Sequence, residues 1–329
     1  MLMPPTDAYQ RRIDYLRFSI TDRCNLRCSY CMPQEGVAKL DHEYILRYEE
    51  ILRLARLAVG MGISKIRLTG GEPLVRRDVL YLCENITRIP GLQSLSLTTN
   101  GVLLAEYAEG LFRAGIKRIN ISLDTLNPEK FEAITRRPFF QKVWEGIEAA
   151  RQVGFSPIKL NCVVMRGIND DEIEDLARLT LRYPFHMRFI EFMPFQPEEQ
   201  KRKFLSADEI LRRVEGIAPL VPAESVNSNG PASYYRFEGA PGKIGIISPI
   251  SHHFCHSCNR LRLTSDGKLR TCLFSSEETD ILALLRQGAL DAEIVGEMRR
   301  AIARKPERHT LDQDVLRKCI SRPMVAIGG

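Results

Sequence analysis

The chain has 329 residues, 44% of them hydrophobic and 27% charged, an ordinary globular composition that excludes a disordered, collagen-like or coiled-coil protein. Its 47 lysines and arginines against 41 aspartates and glutamates leave a net charge of +6, a mild excess that favours an anionic partner without naming nucleic acid. No apolar run approaches the roughly 18 residues of a membrane span, and residues 1–10 hold no apolar leader, so the protein is expected to be soluble and cytoplasmic, with no membrane partner.

Short β-type runs alternate with helical patterns through the first two thirds of the chain, which predicts βα units and a parallel sheet. A strand over 15–21 runs into the loop Asp22-Arg23-Cys24-Asn25-Leu26-Arg27-Cys28-Ser29-Tyr30-Cys31. A helix over 45–61 follows, then a strand over 65–69 that leads into Thr69-Gly70-Gly71-Glu72-Pro73-Leu74. Next come a strand over 94–99, a helix over 102–114, strands over 117–123 and 158–164 separated by a helix over 140–153, a helix over 170–183 with Asn169 as its N-cap, and a strand over 187–192. Beyond residue 206 the pattern changes to a helix ending at 215, a Pro, Ser, Asn and Gly-rich loop over 222–232, short strands over 233–238, 243–248 and 261–264, helices over 280–287 and 291–304, and a mobile tail ending in Gly328-Gly329. The expected fold class is α/β, a partial (β/α)6 TIM-type barrel with a smaller C-terminal α+β extension, divided into domains 1–205 and 206–329.

Parallel strands covered on both faces usually read as unbroken apolar runs, yet these strands alternate. Leu16, Phe18 and Ile20 oppose Arg17, Ser19 and Thr21; Ile66 and Leu68 oppose Lys65, Arg67 and Thr69; Ile119 and Ile121 oppose Asn120 and Ser122; Ile158 and Leu160 oppose Lys159 and Asn161. With helices on the apolar face, the polar and cationic face lines the inside, where buried cations are tolerable only beside something anionic. The interior is therefore expected to hold a negatively charged ligand. An antiparallel sheet with one wet face is the alternative that this alternation leaves open.

Nine cysteines in a chain with no export signal argue against a disulfide framework and for metal or catalysis. Cys83, Cys162 and Cys319 stand alone and read as inert; the other six form two groups. Cys24, Cys28 and Cys31 offer three thiolates and no obvious fourth, whereas a structural zinc takes four. On a 4Fe-4S cluster three thiolates leave one iron open, which implies chemistry rather than electron transfer alone. For Cys255, Cys258 and Cys272, a zinc completed by His252, His253 or His256 stays open beside a cluster.

The Cys-x3-Cys-x2-Cys loop, with Tyr30 before its last cysteine, and the Gly70-Gly71-Glu72-Pro73 turn resemble the signature of the radical S-adenosylmethionine (SAM) superfamily. The glycines let backbone approach a ligand, and a carboxylate suits the ammonium of SAM. With the second cysteine group, the stretch Cys258-Asn259-Arg260-Leu261-Arg262-Leu263-Thr264 and the terminal Gly328-Gly329, the chain resembles the GTP 3′,8-cyclases of molybdenum cofactor biosynthesis.

That resemblance implies two 4Fe-4S clusters, one on Cys24, Cys28 and Cys31 and one on Cys255, Cys258 and Cys272, with SAM on the first and the guanine of GTP on the second. It implies that a 5′-deoxyadenosyl radical takes hydrogen from C3′ of GTP and that addition to C8 yields 3′,8-cyclo-7,8-dihydro-GTP. Implied SAM contacts are Tyr30, Gly71, Ser122 and Met193. Implied GTP contacts are Arg17, Arg67, Thr98, Lys159, Arg260 and Arg262, with Lys65 and Arg188 as further cations. Arg260, Arg262, Gly328 and Gly329 are the implied catalytic positions. A reductant protein as electron donor, a downstream cyclic pyranopterin monophosphate synthase and a homodimer complete the implied partners. Two other classes compete: a peptide-modifying radical SAM enzyme, which typically carries more C-terminal cysteines, and a zinc-binding nucleic-acid protein, whose basic residues would form exposed runs rather than occupy strand interiors.

Overall fold

The computed structural model describes residues 3–38, 40–193, 201–224, 230–309 and 322–328. From the N-terminus come β1 (Tyr15–Ser19), α1 (Tyr48–Gly60), β2 (Lys65–Thr69), α2 (Val79–Thr87), β3 (Ser94–Thr99), α3 (Leu104–Arg113), β4 (Arg118–Ser122), α4 (Pro128–Thr135), α5 (Phe140–Val153), β5 (Ile158–Val164), α6 (Ile173–Arg182) and β6 (His186–Glu191). The remainder forms α7 (Ala207–Glu215), β7 (Leu220–Pro222), β8 (Ala232–Phe237), β9 (Lys243–Ile247), β10 (Arg260–Leu263), β11 (Lys268–Arg270), β12 (Thr279–Asp280), α8 (Ile281–Arg286), α9 (Asp291–Ala303) and α10 (Met324–Ile327).

Two compact units result, one of Met1–Thr99, Tyr107–Lys117 and Cys255–Gly329, the other of Asn100–Glu106 and Arg118–Phe254. In the first, β10, β1, β2 and β3 pair in parallel, with β11 and β12 added antiparallel beyond β10. In the second, β4, β5, β6 and β9 pair in parallel, with β8 and β7 added antiparallel. Parallel pairing with helical crossovers excludes the wet antiparallel sheet, and the βα order of β1 to β6 is that of a partial (β/α)6 TIM-type barrel with an α+β extension.

The alternation read from the sequence is the alternation of burial. Leu16, Phe18, Ile66 and Leu68 are wholly buried, and α1 buries Ile51, Leu54, Ala55 and Ala58 at helical spacing. Each large aliphatic or aromatic side chain so removed from water contributes roughly 1.5–3 kcal/mol. Cys83 and Cys162 lie in this apolar packing; burial pushes the Cys83 thiol up to about 12 and the Cys162 thiol well above its usual range, which makes both inert. Cys319 lies outside the described residues.

Two expectations are corrected. Asn169 does not cap the helix that follows: its Oδ1 accepts from the Met165 N–H at 2.7 Å, and its Nδ2 donates to the carbonyls of Asp124 and Val163 at 2.8 and 2.9 Å. The amide thus pins a loop back onto β5, a use that local spacing cannot reveal. Nor are residues 322–328 a mobile tail. Val325 and Ile327 are buried, and Arg322 forms ion pairs with Asp266 at 2.8 Å and Glu278 at 3.2 Å. Among the described residues no helix is long and apolar enough to cross a membrane.

His186, on β6 of the second unit, sits in register between Lys159 and Lys243, packs edge-on against Tyr234, and leaves its buried Nδ1 without a hydrogen-bond partner. Burial and then the charges of Lys159, Lys243 and Arg188 push its imidazole down to about 3. An unfolded histidine takes a proton near pH 6.5 that the folded one refuses, so stability falls as pH drops from about 6.5 towards 3, at up to about 1.4 kcal/mol per pH unit. In cluster-free protein, His186→Gln is expected to flatten the decline of unfolding free energy over that window, read by urea titrations at successive pH values. A decline as steep as the parent's would refute the burial account.

Candidate active site

Both cysteine groups belong to the first unit. Cys24, Cys28 and Cys31 follow β1 in a loop, each half-buried and outside any disulfide. The loop is shaped by its own backbone: the N–H groups of Cys31 and Met32 both donate to the Cys28 carbonyl, and Arg27 Nη1 donates to the carbonyls of Cys24 and Leu26 at 2.7 and 2.8 Å. Tyr30 is half-buried on the same loop.

The Gly70-Gly71 turn is bonded directly to this loop. The Gly71 N–H donates to the Thr21 carbonyl and the Glu72 N–H to the Arg23 carbonyl, both at 2.8 Å. A Cβ on Gly71 would stand 2.3 Å from the Arg23 oxygen, and one on Gly70 2.7 Å from the Thr21 oxygen. The glycines are therefore required first by the close approach of two backbones. Glu72, wholly buried, accepts from the Leu74 N–H at 3.0 Å and from Thr99 Oγ1 at 2.8 Å, so its carboxylate braces the turn.

The second group is half-buried at the foot of β10 and beyond β11. Burial pushes the Cys258 thiol up, but the charges of Arg260 and Lys305, with hydrogen bonds from Arg260, outweigh it and hold the thiol at about 6. Cys255 is raised, by burial above all, against a hydrogen bond from the His309 N–H. Of the histidines considered for zinc, His252 belongs to the second unit, where its Nε2 lies 2.9 Å from Asp208, and His256 is exposed. Among the described residues no three His, Cys, Asp or Glu side chains are drawn in tightly enough for a single ion. Three soft sulfur donors per group, without a closing fourth, suit an iron-sulfur cluster.

Between these groups runs a row of cations fixed by strand register. Arg262, Arg17, Arg67 and Ser96 stand side by side on β10, β1, β2 and β3, and Arg260, Tyr15, Lys65 and Ser94 form the row before it. Neighbouring parallel strands are about 4.8 Å apart, so three guanidinium stems rise from adjacent positions. Arg17, half-buried, is lowered well below its ordinary range, by desolvation and then by Arg262 and Arg67; Arg262 is lowered to about 10, by desolvation and then Arg260. Because guanidinium stays protonated in proteins, these shifts register first the desolvation of the row and second the repulsion among its neighbouring cations. Arg67 Nε donates to Ser96 Oγ at 3.3 Å, and its guanidinium lies 5.4 Å from the centre of the Tyr15 ring.

Gly328 closes this row. Arg17 Nη2 and Arg262 Nη1 donate to its carbonyl at 3.3 and 3.4 Å. Its φ of +75° and the 3.0 Å that a Cβ would leave to Ser19 Cβ require glycine there. Gly329 lies outside the described residues.

Other positions divide. Lys65 Nζ is 2.9 Å from Asp14, which tempers its charge towards a ligand. Thr98 Oγ1 is buried without a hydrogen-bond partner, and so is the hydroxyl of Tyr15, which the sequence did not single out. In the second unit Ser122, Asn161 and Arg188 share a register row; Arg188 donates to Asn161 Oδ1 from Nε and to Asn120 Oδ1 from Nη2, each at 2.8 Å. Lys159 and Met193 are half-buried there.

Comparison with known proteins agrees with this construction. A family model described as Radical SAM superfamily matches residues 18–180, and one described as Molybdenum Cofactor Synthesis C matches residues 185–311. SAM-bound SuiB of Streptococcus suis is similar in structure, with a TM-score of 0.59 over 95% of this chain and 77% of that one at 16% identity, which speaks to fold alone. Fold and cysteine loop together define a radical SAM enzyme. The chain is 50% identical over 324 residues to the GTP 3′,8-cyclase of Moorella thermoacetica, covering 98% of this chain and 99% of that one. It is also 50% identical over 326 residues to that of Peptoclostridium acidaminophilum, covering 98% of each. It therefore belongs to the GTP 3′,8-cyclase family of molybdenum cofactor synthesis.

Gly71→Ala is expected to lower the iron and sulfide taken up on anaerobic reconstitution towards the level of Cys24→Ala, because the new methyl displaces the cysteine loop at about 1–3 kcal/mol. Full loading, with only SAM affinity reduced, would return Gly71 to a purely ligand-facing role.

Proposed function

We propose that the chain converts GTP to 3′,8-cyclo-7,8-dihydro-GTP, with one 4Fe-4S cluster on Cys24, Cys28 and Cys31 and a second on Cys255, Cys258 and Cys272. The observation that carries this reading is the row of Arg262, buried, and Arg17 and Arg67, half-buried, which suits a polyanion and in which Arg17 and Arg262 meet the carbonyl of Gly328. Cys24, Cys28 and Cys31 would hold the first cluster, which with SAM would supply a 5′-deoxyadenosyl radical able to take hydrogen from C3′ of GTP. C3′–C8 bond formation would then need one electron from the reductant and one proton to reach the dihydro product.

A triphosphate carries about four negative charges, and arginine forks match its oxygens better than any other side chain. Arg17, Arg67 and Arg262 take that load, and the family resemblance adds Lys159 and Arg188. Lys65, shared with Asp14, contributes field more than contact. Thr98 and Arg260 orient the nucleoside; Arg260 Nη2 already lies 3.7 Å from Cys258 Sγ, beside the metal-facing sulfur. Tyr30, Gly71, Ser122 and Met193 hold SAM. Gly328 fixes the guanidinium groups of Arg17 and Arg262 and, with Gly329 assigned to the same catalytic tail by resemblance, keeps water from the ribose. Residues 1–205 carry the first cluster and residues 206–329 the second. A cytoplasmic homodimer, an electron-donor protein and a downstream cyclic pyranopterin monophosphate synthase belong to the same reading.

Anaerobic incubation with SAM, a reductant and GTP is expected to yield a nucleotide isomeric with GTP, so the product is read by chromatography and by loss of the guanine H8 signal in proton NMR. GTP returned unchanged beside cleaved SAM would overturn the proposal.

Arg17→Ala and Arg262→Ala are each expected to lower kcat/KM for GTP by about 10- to 100-fold, the equivalent of one charged hydrogen bond, with iron content unaltered. Wild-type turnover in either variant would remove the row from the site. Deleting Gly328 and Gly329 should abolish cyclisation while SAM cleavage persists, and a fully active truncation would strip the tail of its role.

A further inference from the structure

Around the second cysteine group stand two buried cations that no motif of the sequence singles out. Arg11, 7% exposed and paired with Asp7, donates from Nη1 to the Cys255 carbonyl at 2.8 Å and to the Glu307 carbonyl at 2.7 Å. Lys305, 3% exposed and placed just after α9, donates from Nζ to the Arg260 carbonyl at 3.1 Å and to the Thr271 carbonyl. Arg260 follows Cys258 by two positions and Thr271 precedes Cys272 by one. Two cations therefore bind a carbonyl on each of the three cysteine-bearing stretches.

Lys305 does more than tie backbone. A buried ammonium loses several kcal/mol of hydration, and neutral carbonyls return only part of it. The groups that favour its charge are the thiolates of Cys258 and Cys272, while Arg11 and Arg260 oppose it. A neutral side chain of the same length would fill the space at less expense. What the ammonium adds is a positive charge bonded to the carbonyls two positions after Cys258 and one before Cys272.

We propose that Lys305 is a positioning residue of the second three-cysteine site, holding the Cys258 and Cys272 stretches together and, by its charge, making the cluster bound there easier to reduce. This rests on the reading that the site carries a 4Fe-4S cluster. Positive charge beside an iron-sulfur centre favours the more negative, reduced state, so removing it lowers the potential.

The test uses the full chain with Cys24→Ala, Cys28→Ala and Cys31→Ala, so that all iron reports on the second site. This parent, its Lys305→Met variant and its Lys305→Arg variant are reconstituted anaerobically with iron and sulfide. Iron per chain, far-ultraviolet circular dichroism and the midpoint potential from an EPR-monitored titration are then measured. Lys305→Met is expected to shift the midpoint to a more negative value and Lys305→Arg to restore it. Loss of iron in Lys305→Met, with the fold intact and iron retained in Lys305→Arg, supports the same assignment through the tie between the two stretches. A loaded Lys305→Met variant with the parent's midpoint overturns the assignment, as does collapse of the fold in both variants, which would make Lys305 a plain structural residue. A parent that takes up no cluster overturns the two-cluster reading itself, and the assignment with it.

Discussion

Repulsion between three guanidinium groups is the constraint on which the first unit turns. Arg262, Arg17 and Arg67 occupy one register row on adjacent parallel strands. At a strand spacing of about 4.8 Å and an effective dielectric near 20, two unit charges repel by about 3 kcal/mol. Flexible stems spread the charges further apart, but desolvation works against that relief. The unit answers with local acceptors: the Gly328 carbonyl for two of the arginines, the Ser96 hydroxyl and the Tyr15 ring for the third. These neutral groups offset part of the repulsion and leave the row primed for an anion, which is why the strongest argument for a nucleotide comes from strand register rather than from any single residue.

The same charges reach the cysteines. Cys258 and Cys272 favour the charged form of Arg262, while Arg260 and Lys305 favour the thiolate of Cys258. The row and the second cysteine group thus stabilise one another, and removing either changes the electrostatics of both. At the other end the coupling is steric. Thr21 and Arg23 present carbonyls to Gly71 and Glu72, so the first cysteine loop and the glycine turn are two halves of one backbone construction. In the proposed function SAM and cluster would share, at this end, a scaffold in which a methyl on Gly71 would stand 2.3 Å from the Arg23 oxygen.

Much of this was legible in the residues. Strands over 65–69, 94–99 and 158–164 and the helix over 140–153 coincide with the observed elements, because strict alternation or a helical stripe bounded by Gly or Pro leaves little choice of period. Alternation also put Arg17, Lys65, Arg67 and Lys159 on the inward face. What it withheld was the partner of each. Lys65 and Arg67 look equivalent along β2, yet one is tempered by Asp14 and the other rests on Tyr15 and Ser96, a difference set by residues distant in sequence or on a neighbouring strand. The tail read as mobile because Gly-Gly is flexible in isolation. Its seat depends on Arg322 meeting Asp266 and Glu278, and on Val325 and Ile327 finding apolar cover, none of which local spacing encodes. Asn169 departs from a cap for a related reason: its preference for helix starts is a local statistic, and three backbone bonds, one of them to Asp124 far away in sequence, outweigh it.

Two of the buried bases, His186 and Lys305, show how the chain uses its positive charge. His186 lies among Lys159, Lys243 and Arg188, and its proton is expelled. Lys305 is more deeply buried, and desolvation lowers it too, but two thiolates and two carbonyls stand against that pressure. Burial alone does not decide between these outcomes; the sign of the neighbours does. Cations packed among cations must shed a proton or wait for an anionic ligand, whereas a cation packed among sulfurs is held by them. The distribution of the +6 net charge is accordingly a map of where negative charge has to arrive. Under the proposed function a nucleotide would answer the arginine row, whereas Lys305 is answered from within the polypeptide by Cys258 and Cys272.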